Sequence, residues 1–435
     1  MIAHGAKFIY LMEVLIMKER KTKKLLSLIL ATVMSILLIG SSVFADGTTY
    51  TAIAAPTGVK FKKVLIMPAE TPVPTAGYTF SIAAGTAFAG DPDNGTYEVK
   101  AGITDGTYPK VKNDAIFTSG EAKDGTPDPA TTTKYSTSKT KDVEIDFGSI
   151  TFTEPGVYRY VITESPATNQ STSQPYANTA IKDDTKSILM DVYVKNDDSG
   201  NLVLGGTTMY KVAAADQETI KPKTDGTFPD KDANKEKTDK FVNEYPTNTV
   251  ELKKEVTGNQ GSKDEWFKFT VTITAPSTTD TTSKIAITGQ TPAPSANAAT
   301  SYTAADMAAK NGVNELALSA FATGYDLYLQ DASDVKLQGI PEGCTVSISE
   351  ANANKYSVTT KVDGTTKATN VTDDAVSVSA TVGTKDILIT YTNDKDGTIP
   401  TGVIVSVAGL LVVGVIAIIG FVFFGTRSRR RYEED

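Results

Sequence analysis

The chain has 435 residues, with 43 Lys and Arg against 51 Asp and Glu, one cysteine and one histidine. Two domains are the expectation at this length, and the mildly acidic balance, with no basic patch beyond the terminal segments, argues against a nucleic-acid partner. The histidine, His4, precedes the first apolar stretch, and Cys344 has no second cysteine to pair with. Ser-His-Asp and Cys-His catalysis, an internal disulfide and zinc sites that use histidine are therefore excluded for the body of the chain.

In chain order, Lys18, Arg20, Lys21, Lys23 and Lys24 form a basic region, residues 25–40 an apolar one, and Val43-Phe44-Ala45 a small-residue cleavage site. That is the plan of a secretory signal peptide over residues 1–45, with Asp46 as the expected mature start and Met17 as a second candidate initiator. A retained membrane helix is the alternative, against which the shortness of the apolar run stands. From residue 51 to 393 the chain is rich in Thr, Val, Ser, Gly and Asp, in short alternating runs separated by turn residues. This predicts all-β, antiparallel sandwiches, with strands over 78–82, 142–147, 157–164, 187–195, 266–273, 356–362 and 386–393. Only 304–321 reads as partly helical, interrupted by Gly312, while 91–141 and 217–240 read as loops or insertions on the first sandwich. Asp91-Pro92-Asp93-Asn94-Gly95 has its glycine one place too early for an EF-hand and lacks the closing acid, so it is assigned as a turn. No metal and no cofactor is assigned. A boundary near Tyr245-Pro246-Thr247-Asn248 divides the body into domains over 46–246 and 247–397 that share one plan.

That plan shows in strand phase. Alternate residues of a strand face one side, so a polar residue in the apolar phase is an error or a device. Lys254 shares a face with Val250, Leu252 and Val256; Glu350 with Cys344, Val346 and Ile348; Asn393 with Ile387, Ile389 and Tyr391. The first half repeats the set: Lys63 with Val59, Phe61 and Leu65; Glu164 with Tyr158, Tyr160 and Ile162, opposite Arg159 and Thr163; Asn243 with Phe241 and Tyr245. Glu154-Pro155-Gly156 suits a type II turn leading into the Glu164 strand. Strand ends reaching water, or plain buried Lys–Glu pairs, would account for any single one of these residues. Two matching triplets point further, because a buried unsatisfied amide or charge costs several kcal/mol. Burial favours the neutral amine of lysine and the neutral acid of glutamate. A neutral amine held beside an amide carbon is a nucleophile in an effectively unimolecular reaction. The acid can hydrogen-bond the amide oxygen and relay a proton to departing ammonia. The product is a Lys-Asn isopeptide bond, formed once and without a cofactor, so the chain is not expected to be an enzyme.

Residues 398–435 close the chain with Thr398-Ile399-Pro400-Thr401-Gly402, an apolar block over 403–424 and Arg427, Arg429, Arg430 and Arg431. The block is long enough to cross a bilayer, with the arginines on the cytoplasmic side. This order resembles a Gram-positive cell-wall sorting signal, whose sortase cuts after the threonine and passes the carbonyl to an amine. Proline directly precedes Thr401, a departure from Leu-Pro-x-Thr-Gly that resembles the Val-Pro-Thr-Gly variant of some streptococcal major pilins and favours a pilus-type sortase.

The runs Phe152-Thr153-Glu154-Pro155-Gly156-Val157-Tyr158 ending at Thr163-Glu164, and Leu337-Gln338-Gly339-Ile340-Pro341-Glu342-Gly343 ending at Ser349-Glu350, resemble the streptococcal pilin isopeptide-linkage domain family. So do Phe241-Val242-Asn243 followed by Lys253-Lys254, and Tyr391-Thr392-Asn393. The resemblance implies tandem immunoglobulin-like sandwiches with the sets Lys63, Glu164, Asn243 and Lys254, Glu350, Asn393. It further implies a pilus shaft subunit on the cell surface. Its partners would be sortase, identical subunits in a covalent polymer, other pilins and peptidoglycan, with a host ligand left open. Lys237, with Lys235 beside it, is the candidate acceptor of the sortase linkage; solubilising loop charges are the other reading of both. A monomeric or basal wall-anchored adhesin is the alternative function.

Overall fold

The computed structural model describes residues 50–127, 134–168, 173, 175, 181–213, 220–222, 235–289, 304–351, 356–370, 375–397 and 414–423. The expected leader over 1–45 and the motif Ile399, Pro400, Thr401 and Gly402 lie outside them. Residues 414–423 of the expected apolar block are helical, and among the described residues no helix is long and apolar enough to cross a membrane.

Alternation of apolar and polar residues produces two β-sandwiches in tandem. In the first, one sheet runs Lys240–Glu244, Lys60–Met67, Thr137–Asp146, Lys110–Val111. The other runs Lys235–Glu236, Leu202–Val212, Ser187–Asn196, Gly156–Glu164, Phe80–Ala84, with Val99–Ala101 also on Gly156–Glu164. Phe61, Leu65 and Val143 of one sheet meet Tyr158, Tyr160, Ile162 and Met190 of the other in a single core. Each such side chain contributes about 1.5–3 kcal/mol through burial. The second sandwich has a sheet in the order Glu315–Ala317, Lys284–Thr288, Asp334–Pro341, Thr247–Thr257, Ile387–Asp394, Ser357–Val362, Thr365–Asn370. It faces Tyr325–Leu329, Phe267–Thr274, Thr345–Glu350 and Val376–Thr381.

The pairing is not purely antiparallel. In each sandwich the first and last strands lie side by side and parallel: Lys60–Met67 with Lys240–Glu244, and Thr247–Thr257 with Ile387–Asp394. Parallel neighbours need a crossover, and here the crossover is the whole intervening domain. The two sandwiches also touch. Thr71 and Thr247 hydroxyls are 2.6 Å apart, Lys134 Nζ donates to Glu342 at 3.0 Å, and Lys284 N–H donates to Ser119 Oγ at 3.2 Å.

Several local expectations need correction. The helix is Ala304–Asn311 and stops before Gly312, after which Glu315–Ala317 is a strand and Leu318–Phe321 a 3-10 turn. Residues 91–141 are not wholly loop, since Val99–Ala101, Lys110–Val111 and Ala115–Phe117 pair into sheets. Gly156 opens its strand at φ 159°, well away from the φ of about +80° that a type II turn needs. Asp91 does form a turn, accepting the Asn94 backbone N–H at 3.1 Å and its side-chain amide at 2.6 Å.

Part of the polar phase of Gly156–Glu164 is buried as well, although Thr163 is exposed. Arg159 forms a bidentate pair with Asp191, 2.8 Å on each arm, and donates to Ile220 O at 2.8 Å. The outer face of this sheet is covered: Val99, Val157 and Tyr193 cluster with Phe88 and Tyr97, and Leu189, Tyr210 and Val212 with Ile220. Gly85 has no side chain because a Cβ there would run into the Arg159 stem.

Candidate functional site

Strand phase delivers Lys63 into the first core between Phe61 and Leu65, with none of its surface exposed. The parallel neighbour sets Phe241 opposite Lys63 and Asn243 opposite Leu65. The asparagine is thus two residues beyond the lysine's partner, on the same inward face. Lys63 Nζ donates to Asn243 Oδ1 and lies 4.1 Å from the centre of the Tyr78 ring. Glu164 arrives from the facing sheet, its Oε2 2.7 Å from Lys63 Nζ, with both side chains essentially fully buried.

The second core repeats this placement. Lys254 sits opposite Tyr391, and Asn393 opposite Val256, again two residues on. Glu350 Oε1 accepts from Asn393 Nδ2 at 2.6 Å and stands 3.4 Å from Lys254 Nζ. The lysine lies 4.0 Å from the Phe267 ring centre. Phe269 and Tyr391 close over the site edge to face, 5.2 Å apart, with the Tyr391 hydroxyl donating to Ile348 O at 2.6 Å.

Burial dominates the electrostatics of both. It pulls Lys63 down from 10.5 to about 8, against the opposing pull of Glu164, and lowers Lys254 to about 8 against Glu350. It raises Glu164 and Glu350 above the usual carboxylate range, against their lysines. Each site therefore moves toward a neutral amine beside a neutral acid; in the first the amine also meets the Asn243 amide, an arrangement from which acyl transfer with loss of ammonia can start, and in the second Glu350 bridges the amine and the amide.

All six residues of the expected sets are brought together as two triplets. Two neighbours of the first were not legible in the chain: Asp183 Oδ1 accepts from Asn243 Nδ2 at 3.0 Å, and the Asp184 N–H donates to Asn243 Oδ1 at 3.2 Å. They sit in a loop ahead of Ser187–Asn196, where no strand phase marks direction. Of the acceptor candidates, Lys237 is exposed, and Lys235 begins a strand paired with Val212. No group of metal-ligating side chains occurs among the described residues.

Residues 59–246 match the Spy0128-like isopeptide containing domain, a stretch that includes Lys63, Glu164 and Asn243. Residues 248–386 match a domain family of unknown function, DUF7601, which includes Lys254 and Glu350 and ends before the Asn393 strand. A Streptococcus pyogenes serotype M1 protein named Pilin is 26% identical over 295 residues, 66% of this chain and 72% of its own. Among solved structures, the major pilin of S. pyogenes is 21% identical, covering 79% of this chain and 100% of its own with a TM-score of 0.43. The T3.2 major pilin of the same species is 22% identical, covering 79% and 99%, also at 0.43.

Proposed function

We propose that this chain is the shaft subunit of a sortase-assembled pilus, built from tandem immunoglobulin-like domains that each close a Lys-Asn isopeptide bond. The observation that carries the reading is the pair of buried Lys, Glu and Asn sets at one common register, Lys63–Glu164–Asn243 and Lys254–Glu350–Asn393. The isopeptide family match over 59–246 supports it, as does the 26% identity to a pilin.

Neutral Lys63 or Lys254 attacks the amide carbon of Asn243 or Asn393, the glutamate handles protons, and ammonia leaves. Each site reacts once, so the chain is a product of its own chemistry and not an enzyme. After export, sortase would cleave between Thr401 and Gly402 and join Thr401 to a lysine of the next subunit, with Lys237 first and Lys235 second as acceptor. The last subunit would be passed to peptidoglycan.

Two measurements test this. Intact mass of the exported body should fall short of its sequence mass by about 17 Da per bond, about 34 Da in all, as ammonia is lost. An immunoblot of muramidase-released wall, boiled in detergent, should show a high-mass ladder that Lys237→Ala abolishes. Full sequence mass would remove the crosslinking; one sharp monomer band would replace the shaft with a wall-anchored adhesin or accessory subunit.

A further inference from the structure

The two sites differ in how the asparagine amide is held. In the second, one carboxyl serves both reacting nitrogens: Glu350 Oε1 is 2.6 Å from Asn393 Nδ2 and 3.4 Å from Lys254 Nζ. Asn393 Oδ1 has no hydrogen-bond donor among the described residues. In the first, Glu164 contacts the lysine at 2.7 Å, while the leaving nitrogen of Asn243 donates to a different acid, Asp183, at 3.0 Å. The amide oxygen is supplied with a backbone donor, the Asp184 N–H at 3.2 Å.

The loop is fixed for this purpose. Asp184 Oδ2 accepts the Val242 N–H at 2.9 Å, next to the reacting asparagine, and pairs with Lys211. Asp183 Oδ1 also accepts the Ala167 N–H at 3.1 Å. Asp183 is half-buried, and burial raises its pKa, with the Ala167 N–H acting against the rise.

Resting on the crosslinking reading above, we infer that Asp183 is a second catalytic residue of the first domain, delivering the proton to the departing nitrogen of Asn243 while the Asp184 N–H holds the developing oxyanion.

The step balances as follows. From the resting site, with Lys63 and Glu164 neutral and Asp183 ionised, the Glu164 proton first passes to Asp183, so that the reacting state has Lys63 as free amine, Glu164 ionised and Asp183 protonated. Lys63 Nζ bonds to Asn243 Cγ, and the carbonyl π electrons move to Oδ1, opposite the Asp184 N–H. Nζ, now cationic, gives one proton to Glu164. Asp183 gives its proton to Nδ2. The Cγ–Nδ2 bond then breaks, the carbonyl reforms and ammonia departs, leaving a neutral amide, protonated Glu164 and ionised Asp183. No external reactant is needed. The second domain lacks this division, and Glu350 must take and return the proton in turn.

The test is synthesis of the full chain in a cell-free system, quenched at intervals, with the two crosslinked proteolytic fragments followed separately by mass. Asp183→Asn keeps an oxygen acceptor for the Ala167 N–H but has no proton to give. The first-domain crosslink should close roughly a hundredfold or more slowly in this variant, the usual contribution of a general acid. The second-domain crosslink, in the same molecules, should keep its wild-type rate. Asp183→Glu should recover most of the first-domain rate, and residual closure in Asp183→Asn should lose the decline at high pH that ionisation of the acid imposes on the wild type. Wild-type closure of the first domain in Asp183→Asn would overturn the assignment, as would slow closure with an unchanged pH profile. Absence of both crosslinks from the wild type would instead sink the function proposed above, so the two failures are distinguishable.

Discussion

The second domain allows the crosslink and the buried charge to be separated. Joining Lys254 to Asn393 closes a loop of about 140 residues, and the chain-entropy estimate for such a link is about 5 kcal/mol. Glu350→Ala removes the acid and so prevents the bond, but it also strands an uncoupled Lys254 in a core where it is fully buried. Burial already lowers this lysine from 10.5 to about 8 with Glu350 present, which at 1.36 kcal/mol per pKa unit costs about 3 kcal/mol, and more once the glutamate is gone. The double variant Lys254→Met, Glu350→Gln loses the crosslink without leaving a charge behind. At roughly 2–4 °C per kcal/mol for a domain of this size, the double variant should melt about 10–20 °C below the parent, and the single variant lower still. The gap between the variants has a definite pH dependence. In Glu350→Ala the unfolded lysine binds a proton that the folded one resists, so its stability rises with pH until the ordinary lysine pKa is passed. Calorimetry from pH 7 to 10.5 should therefore show the single variant converging on the double. A double variant that melts with the parent would refute the crosslink, and a gap that ignores pH would refute the assignment of the remaining loss to Lys254.

The first domain supplies two more tests. Asn243→Ala leaves Lys63 uncoupled beside Glu164 with its pKa lowered to about 8. The unfolded state binds more protons between that value and the usual lysine range, so stability relative to the crosslinked parent should climb by up to about 1.4 kcal/mol per unit from pH 8 to 10.5, read from urea midpoints. Arg159→Met should cost about 3–5 kcal/mol because Asp191 stays buried without its partner, whereas Arg159→Met with Asp191→Leu should recover most of it. Equal losses in both variants would show that the pair contributes stability of its own.

What the chain disclosed and what it withheld follow from strand geometry. Lys63, Lys254, Glu164, Glu350, Asn243 and Asn393 were legible because a period of two fixes which side chains face a core once the apolar phase is known. The adjacency of lysine and asparagine was not legible from phase, since it depends on parallel pairing of strands 180 residues apart. Arg159 lies in the polar phase and reads as solvent-facing; it is buried because Phe88, Tyr97 and Ile220 from segments with weak periodicity cover the outside of its sheet. Asp183 and Asp184 come from a loop that approaches the site end-on, and a pattern rule for strands says nothing of such residues. The turn at Glu154-Pro155-Gly156 fails for a related reason: composition suits a tight turn, but pairing of Gly156 with Val194 draws the glycine into the strand.

The common register has a mechanical consequence. In each domain the proposed crosslink would join the first and last strands, which are parallel neighbours, and in the second domain tension entering Thr247–Thr257 and leaving Ile387–Asp394 would load that pair in shear. Without the bond, resistance comes from a ladder of backbone hydrogen bonds, each with a net worth of about 0.5–1.5 kcal/mol. With it, and with Lys237 as the acceptor, tension would enter just ahead of Lys240–Glu244, run through the short connection into Thr247–Thr257, and pass from Lys254 to Asn393. Everything between Lys254 and Asn393 would then be bypassed, while the first domain ahead of Lys237 would lie outside the load path. The connection around Tyr245-Pro246 would gain importance instead, because the full force would pass through it between the two proposed crosslinks.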